Sequence, residues 1–311
     1  MPELPEVETV RSGLAPSMTG AVIDSIEIHD ARSLKRHAGG PADFVSQLVG
    51  RRVLGVVRRG KFLWMPLEPR EGDGDHRLAM VGHLGMSGQM LLRVPGHAPD
   101  KLTRITIHFT EATGEACEFR FVDQRLFGGL FIDVLVPTAD GKPGGFSDGV
   151  SAGTWWENLI PATAAHISRD PLDPDFDEVA MLTRLLKKNT GLKRALLDQG
   201  LVSGIGNIYA DETLWASKLH YEHPANQLSR AKAQQVMAEV RQILERAVRV
   251  GGTSFDEQYK NVNGESGYFE ISLNAYGRAG TPCNRCGTDI VREDWANRGS
   301  HFCPRCQRPK R

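Results

Sequence analysis

The chain has 311 residues, 40% of them hydrophobic and 24% charged, and its 38 basic and 38 acidic side chains give a formal net charge of zero. At roughly 100–200 residues per domain this length suggests two domains with substantial cores, and the pI of about 7.2 excludes a uniformly basic nucleic-acid binder, whose domain pI would lie above about 9. The most apolar run, residues 126–136, is too short to cross a membrane and carries Asp133, where about 18 or more apolar residues would be needed.

The chain opens Met1-Pro2-Glu3-Leu4-Pro5-Glu6-Val7-Glu8-Thr9. Acids and prolines stand where a signal peptide would carry a basic and then an apolar region, so an intracellular protein is expected. Removal of Met1 would leave Pro2 as a terminal secondary amine. A terminal amine titrates near 7.7–8.0, about two to three units below lysine, so part of it is neutral at physiological pH and can form a Schiff base with a carbonyl-like carbon. The same residues also read as a helix start over 5–14. Pro5 lies in the first turn, Glu6 and Glu8 favour the N-terminal dipole, and Val7, Val10 and Leu14 share one face.

Strand-like segments follow at residues 21–29, 52–59, 61–67, 77–82, 90–93, 104–109, 116–123 and 129–134, a density that predicts a β-sandwich. Cys117, inside the seventh, reads as a small core residue. Residues 137–153, rich in Gly, Pro, Ser and Asp, read as a surface loop or linker. Helices are predicted over 154–159, 178–187, 191–197, 207–217 and 229–250, the last ending at Gly251-Gly252. The glycine-broken turn 199–207 runs into a helix and fits two readings, an anion site made by free N–H groups beside Asn207 or a tight helix-to-helix connection. Basic residues cluster at 51–52, 58–61, 187–194 and through the tail after 278. Each cluster alone suits a solvated face; together they are compatible with a polyanion groove.

Four of the five cysteines lie in the tail, as Cys283-x2-Cys286 and, 16 residues on, Cys303-x2-Cys306. This is four-thiolate zinc spacing, with residues 290–292 and 300–302 as the strands of a hairpin between the pairs. Disulfides would suit an exported protein. Four protein thiolates leave no open position on the ion, so the expected role of Zn2+ is structural.

With these motifs in place, the chain resembles bacterial formamidopyrimidine-DNA glycosylases. The resemblance rests on residues 2–10, Arg59-Gly60-Lys61-Phe62-Leu63, His83-Leu84-Gly85-Met86-Ser87-Gly88, Asp123-Gln124-Arg125-Leu126-Phe127-Gly128, Gly204-Ile205-Gly206-Asn207-Ile208-Tyr209-Ala210, Tyr276-Gly277-Arg278 and the cysteine tail. It implies an α+β fold: an N-terminal catalytic β-sandwich with flanking helices over 2–136, a linker over 137–153, a helix–two-turns–helix DNA-binding domain over 154–270, and a zinc-finger hairpin over 271–311. It also implies one structural Zn2+, a monomer, and a place in the bacterial cytoplasm.

The implied activity is that of a glycosylase and AP lyase acting on double-stranded DNA that contains an oxidised purine, 8-oxoguanine or a formamidopyrimidine. Pro2 would be the nucleophile and Glu3 the general acid, with Glu6 nearby. Lys61 would serve β-elimination and Arg298 δ-elimination. Met86, Arg125 and Phe127, which could otherwise be read in part as core residues, would fill the gap left by the flipped nucleotide. Phosphate contacts carry over to Lys61, His83, Lys188, Lys193, Asn207 and Arg298, and residues 261–268 to a loop over the base. Leu102 departs from the pattern, standing where many members have a DNA-contacting histidine, and residues 137–165 are longer than usual. Two other readings stay open: an endonuclease VIII-like pyrimidine enzyme, whose usual start has Gly in place of Leu4, and a DNA-binding protein that has lost catalysis.

Overall fold

The computed structural model describes residues 2–253, 262–263 and 273–309. These fall into two compact units. Within the described residues the first comprises Pro2, residues 6–166, Thr253 and residues 262–263; the second comprises residues 3–5, 167–252 and 273–309.

In the first unit, α1 (Leu4–Met18, whose first two residues count with the second unit) is followed by β1 (Val22–Ile28), α2 (Gly40–Leu48), β2 (Val57–Arg59), β3 (Phe62–Pro66), β4 (Leu78–His83), β5 (Gly88–Arg93), β6 (Thr103–Thr110), β7 (Ala116–Asp123), β8 (Gly129–Pro137) and β9 (Leu159–Pro161). The strands form two antiparallel sheets, ordered β1-β6-β7-β5 and β2-β3-β4-β8-β9. The predicted sandwich is present. Leu63, Met65, Met80 and Leu130 of one sheet share a core with Ile23, Met90, Ile105, Ile107, Phe109, Phe119 and Phe121 of the other.

Alternate residues of the five-stranded sheet, Trp64, Ala79, Val81 and Phe131, point the other way into a second core closed by Trp156, Ile160 and Ala164. Strands buried on both faces read as continuous apolar runs rather than alternating ones, as Leu63-Trp64-Met65 and Leu130-Phe131-Ile132 do. Residues 138–166 are therefore a cover for that outer face. Phe146 bridges Arg58, and Trp156 lies where a Cβ on Gly55 would come within 2.8 Å of its ring. The helix expected over 154–159 is absent; the segment forms turns leading into β9, because burying Trp156 and pairing β9 with β8 displaces a helical register. Helix α2, not expected, buries Phe44 and Leu48 one turn apart.

The second unit is helical: α3 (Glu178–Leu185), α4 (Leu192–Leu196), α5 (Asn207–Ala216) and α6 (Arg230–Arg249), followed by a hairpin of β10 (Val291–Trp295) and β11 (Arg298–Phe302). Asp177 caps α3 and Ser229 caps α6 through their side-chain oxygens. Helix α6 buries Ala233, Val236, Met237, Val240, Ile243, Leu244 and Ala247, an i, i+3, i+4, i+7 stripe. Leu4, Leu201, Ile205 and Phe302 join the same core. The hairpin turns at Ala296 and Asn297, both with positive φ (47° and 60°), as a type I′ turn requires. Among the described residues no helix is long and apolar enough to cross a membrane.

Candidate functional site

Helix α5 begins after Gly206, which offers no side-chain cap. The cap comes from the other end of the sequence. The carboxylate of Glu3 accepts N–H bonds from Gly206 at 2.6 Å, Ile208 at 2.8 Å and Tyr209 at 3.3 Å, and Leu4 N–H donates to the Gly204 carbonyl at 3.0 Å. Both glycines are dictated by this docking. A Cβ on Gly206 would stand 2.3 Å from the Glu3 carboxyl carbon, and Gly204, at φ 90°, would clash with Leu4 at 2.6 Å. The anion-site reading of this turn is thus corrected in one respect: the anion on the helix start is the chain's own Glu3.

Around the same helix, Asn207 donates through Nδ2 to the Gly299 carbonyl at 2.9 Å, which places the start of β11, and with it Arg298, beside the start of α5. Lys193 is fully buried. Its Nζ pairs with Asp211 at 2.6 Å and donates to Ser300 Oγ at 2.8 Å and the Gly299 carbonyl at 3.1 Å. Burial lowers its pKa, which the Asp211 carboxylate opposes. Lys193, expected to contact phosphate, thus turns its ammonium to Asp211, Ser300 and Gly299 and is shielded from solvent. Lys188 is part-exposed and pairs with Asp198 at 2.6 Å. Lys188, Arg194, Trp295 and Arg298 line a concavity of about 540 Å³, with the Arg194 guanidinium 5.3 Å from the Trp295 ring centroid.

The sulfurs of Cys283, Cys286, Cys303 and Cys306 all lie within 4.8 Å of one another, compatible with one tetrahedral ion at about 2.3 Å from each. No disulfide forms among the described cysteines. Trp215 on α5 donates its indole N–H to Cys283 Sγ at 3.3 Å, and Arg285 stacks on that indole at 4.0 Å. Gln307, fully buried, accepts from Cys303 N–H and donates to the Leu219 carbonyl. The donor set is thus fastened to the helical core by several hydrogen bonds, and it fits a structural metal.

The first unit carries the other expected residues. Pro2 is buried. Lys61 is half-buried in the two-residue β2–β3 turn, where Gly60 takes φ 57° and Arg59 pairs with Phe62, the II′ pattern with glycine first. His83 ends β4, opposite Gly129. Burial, helped by Arg36 and Lys35, lowers its pKa to about 4, so at neutral pH it is an uncharged imidazole.

Met86 and Phe127 are 37% and 50% exposed, on two loops packed back to back, such that a Cβ on Gly85 would come within 2.5 Å of the Gly128 nitrogen. Asp123, fully buried, clamps both loops. It accepts from Ser87 Oγ at 2.5 Å, from Arg125 N–H at 3.1 Å and from Gly128 N–H at 2.8 Å. Lys35 and Arg36 brace the second loop through the carbonyls of Leu126 and Phe127. Large apolar side chains held out to solvent on a rigid support mark an interaction surface.

Four positioning carboxylates escaped the sequence reading or received no geometry from it. Asp123 holds the exposed loops, and Asp211 holds Lys193 and the His301 N–H at 2.9 Å. Glu212 accepts the N–H groups of Asn274, Ala275 and Tyr276, fixing the approach to the cysteine module. Glu6 accepts from the N–H and hydroxyl of Thr253 at 2.8 and 3.0 Å. Their sequence signal was faint: Asp211-Glu212 is an acidic pair inside an otherwise apolar helix. The loop expected over 261–268 lies outside the described residues apart from 262 and 263.

Three family models match in sequence order: the formamidopyrimidine-DNA glycosylase N-terminal domain over residues 1–130, the formamidopyrimidine-DNA glycosylase H2TH domain over 167–258, and a zinc finger found in FPG and IleRS over 280–309. The formamidopyrimidine-DNA glycosylase of Leifsonia xyli subsp. xyli is 55% identical over 308 residues, covering 99% of this chain and 100% of its own. That of Salinispora arenicola is 50% identical over 313 residues, covering 100% and 98%. Among solved structures, a mutant Lactococcus lactis FPG in complex with Fapy-dG-containing DNA aligns with a TM-score of 0.77 at 31% identity, covering 99% of this chain and 100% of that one. MutM in complex with carbocyclic 8-oxo-G-containing DNA gives the same TM-score, identity and coverage.

Proposed function

This chain belongs to the formamidopyrimidine-DNA glycosylase family, and from that membership we propose that it removes oxidised purines, 8-oxoguanine and formamidopyrimidines, from duplex DNA through the amine of Pro2 and then cuts the strand. A target base inside a duplex is out of reach, so the nucleotide is flipped out. Met86, Phe127 and Arg125 occupy the vacated stack, one wedging, one stacking and one facing the orphaned base. The Pro2 nitrogen then forms a bond to C1′ as the glycosidic bond breaks and the base leaves with its electron pair and a proton. The resulting aminal opens as the C1′–O4′ bond breaks and O4′ takes a proton, which gives the Schiff base; this acidifies C2′–H, and loss of that proton expels the 3′-phosphate. A second elimination releases the 5′-phosphate, and water returns the free amine.

The observation that carries this reading is the docking of Glu3. The residue next to the amine is fixed by three backbone N–H groups, so the proton donor and acceptor that base departure requires is held in one place. Arg298 follows the I′ turn of a hairpin whose next residue is gripped by Asn207 and Lys193. Lys188, His83 and Asn207 would position phosphates, His83 as a neutral donor rather than a cation. Zn2+ on the four cysteines would supply folding free energy to the terminal module.

The test is to incubate the protein, with Met1 removed, with an 8-oxoguanine:cytosine duplex and borohydride. Covalent trapping with strand cleavage in the parent, absent in Pro2→Gly, is expected. Trapping only on an oxidised-pyrimidine duplex, or trapping retained in Pro2→Gly, would overturn the proposal.

A further inference from the structure

The cover over residues 138–166 does more than bury an apolar face. Its segment 143–148 runs along β2, the end strand of the five-stranded sheet. Phe146 N–H donates to the Arg58 carbonyl at 2.8 Å and Arg58 N–H to the Phe146 carbonyl at 3.0 Å, while Arg59 donates through Nη2 to the Pro143 carbonyl at 3.4 Å. The approach is close: a Cβ on Gly145 would stand 2.4 Å from the Arg58 carbonyl oxygen. Strand β2 pairs with β3 through Val57, Arg58 and Arg59, and the turn between the strands is Gly60-Lys61. The cover thus holds the outer edge of the hairpin that carries Lys61.

Side chains extend the same hold. Arg11 and Arg58, both buried, share the buried carboxylate of Glu8 on α1, at 2.8 and 2.7 Å, and Arg58 also donates to the Gly60 carbonyl at 3.3 Å. A buried guanidinium is tolerated only when its charge and its N–H groups are met. Arg11 takes Glu8 on one side and, from the cover, Asp148 on the other, at 2.5 Å. Its Nη1, buried, has no hydrogen-bond acceptor among the described residues. The Phe146 ring stands beside it instead, with its centroid 5.1 Å from Arg11 Cζ and 6.0 Å from Arg58 Cζ, a cation–π contact with both. Asp148 itself sits at φ 53°, a left-handed position that Asp and Asn accept more readily than other residues with a Cβ.

We infer that Phe146 and Asp148 are positioning residues for strand cleavage. They act through other residues rather than on the substrate: they fix Arg11 and Arg58, and through Arg58 the Gly60-Lys61 turn, so that the Lys61 ammonium stays where the departing phosphate needs it. The inference deepens the proposed reading of Lys61 in β-elimination and rests on it.

The experiment compares Asp148→Asn, Phe146→Leu, Lys61→Ala and each of the first two combined with Lys61→Ala, in single-turnover reactions of the protein, with Met1 removed and in excess, on a duplex with a preformed abasic site. Asn tolerates the left-handed backbone at 148, so it removes the charge alone, and Leu keeps apolar volume at 146 while removing the ring face. Each is expected to slow strand cleavage roughly 5–20-fold, as a displaced catalytic group does, while the rate of borohydride trapping stays within about twofold of the parent because the amine is untouched. In the Lys61→Ala background either substitution should change cleavage by less than about twofold, since residues that act through one group are not additive. If Lys61→Ala slows cleavage and neither Asp148→Asn nor Phe146→Leu does, the inference is wrong and the reading of Lys61 stands. If Lys61→Ala leaves cleavage unchanged, that reading fails and this inference with it. Equal slowing of trapping and cleavage, or the same slowing with and without Lys61, would make Phe146 and Asp148 merely structural and overturn the inference.

Discussion

Asp123 in the first unit and Glu3 in the second do the same physical job, each a buried carboxylate that gathers backbone N–H groups from a glycine-bearing turn. They present opposite surfaces. The loops held by Asp123 turn Met86 and Phe127 out to solvent. The turn held by Glu3 leads into a region where a lysine, two aspartate oxygens and a strand backbone satisfy one another out of water. On the proposed function, a surface that enters a stack of bases needs rigid apolar groups turned to solvent, whereas a helix end that holds a residue in one place needs every polar group paired.

The largest expected effect comes from breaking the buried pairing of the second unit. Lys193→Met leaves Asp211 charged, buried and short of its cation, and should cost about 3–5 kcal/mol of stability, measured by urea unfolding. Replacing both partners with apolar residues should recover much of that loss, and failure to recover any would show that Lys193 acts through something other than the pair. Asp123→Ala strands the Gly128 N–H and the Ser87 hydroxyl, leaving the Arg125 N–H only its bond to Ser87 Oγ, and should cost about 2–4 kcal/mol. Lesion-duplex binding should fall with it even at temperatures where the variant stays folded, because the loops lose their clamp.

A pH titration sharpens the comparison inside the first unit. The His83 pKa lies at about 4 in the fold against about 6.5 for the free side chain, so the folded state binds fewer protons than the unfolded one. The stability His83 secures is complete above pH 6.5 and is lost as pH falls from there toward 4, up to about 3 kcal/mol. His83→Gln should flatten that part of the profile, and an imidazole that titrates near 6.5 by NMR would contradict the assignment. The smallest effect on stability is expected for Phe127→Ala and Met86→Ala, within about 0.5 kcal/mol. A loss of several kcal/mol there would mean that these side chains belong to the core after all.

Much of this architecture was legible in the sequence. The density of short strands gave the sandwich, the CxxC pairs gave the terminal module, and the stretch from 229 to the Gly251-Gly252 stop gave α6. What stayed hidden depended on partners far apart in the chain. The Trp155-Trp156 doublet looked like a helix start because nothing local shows that the five-stranded sheet has an outer face to be covered. Lys193 looked like one more member of a basic cluster because Asp211 and Ser300 reach it from 18 and 107 positions away. Glycines 204 and 206 fit both an anion site and a tight connection in the sequence, because the carboxylate that docks on the turn lies 203 residues before Gly206.

That last separation has a consequence in time. A ribosome adds about 5–20 residues per second, so Glu3 leaves the exit tunnel roughly 10–40 s before the turn that will hold it does. For that interval residues 3–5 await the turn on which they dock, and the N-terminal segment is open to processing enzymes. Once Gly206 arrives, Glu3 can dock, so the closing of this contact is scheduled by chain length.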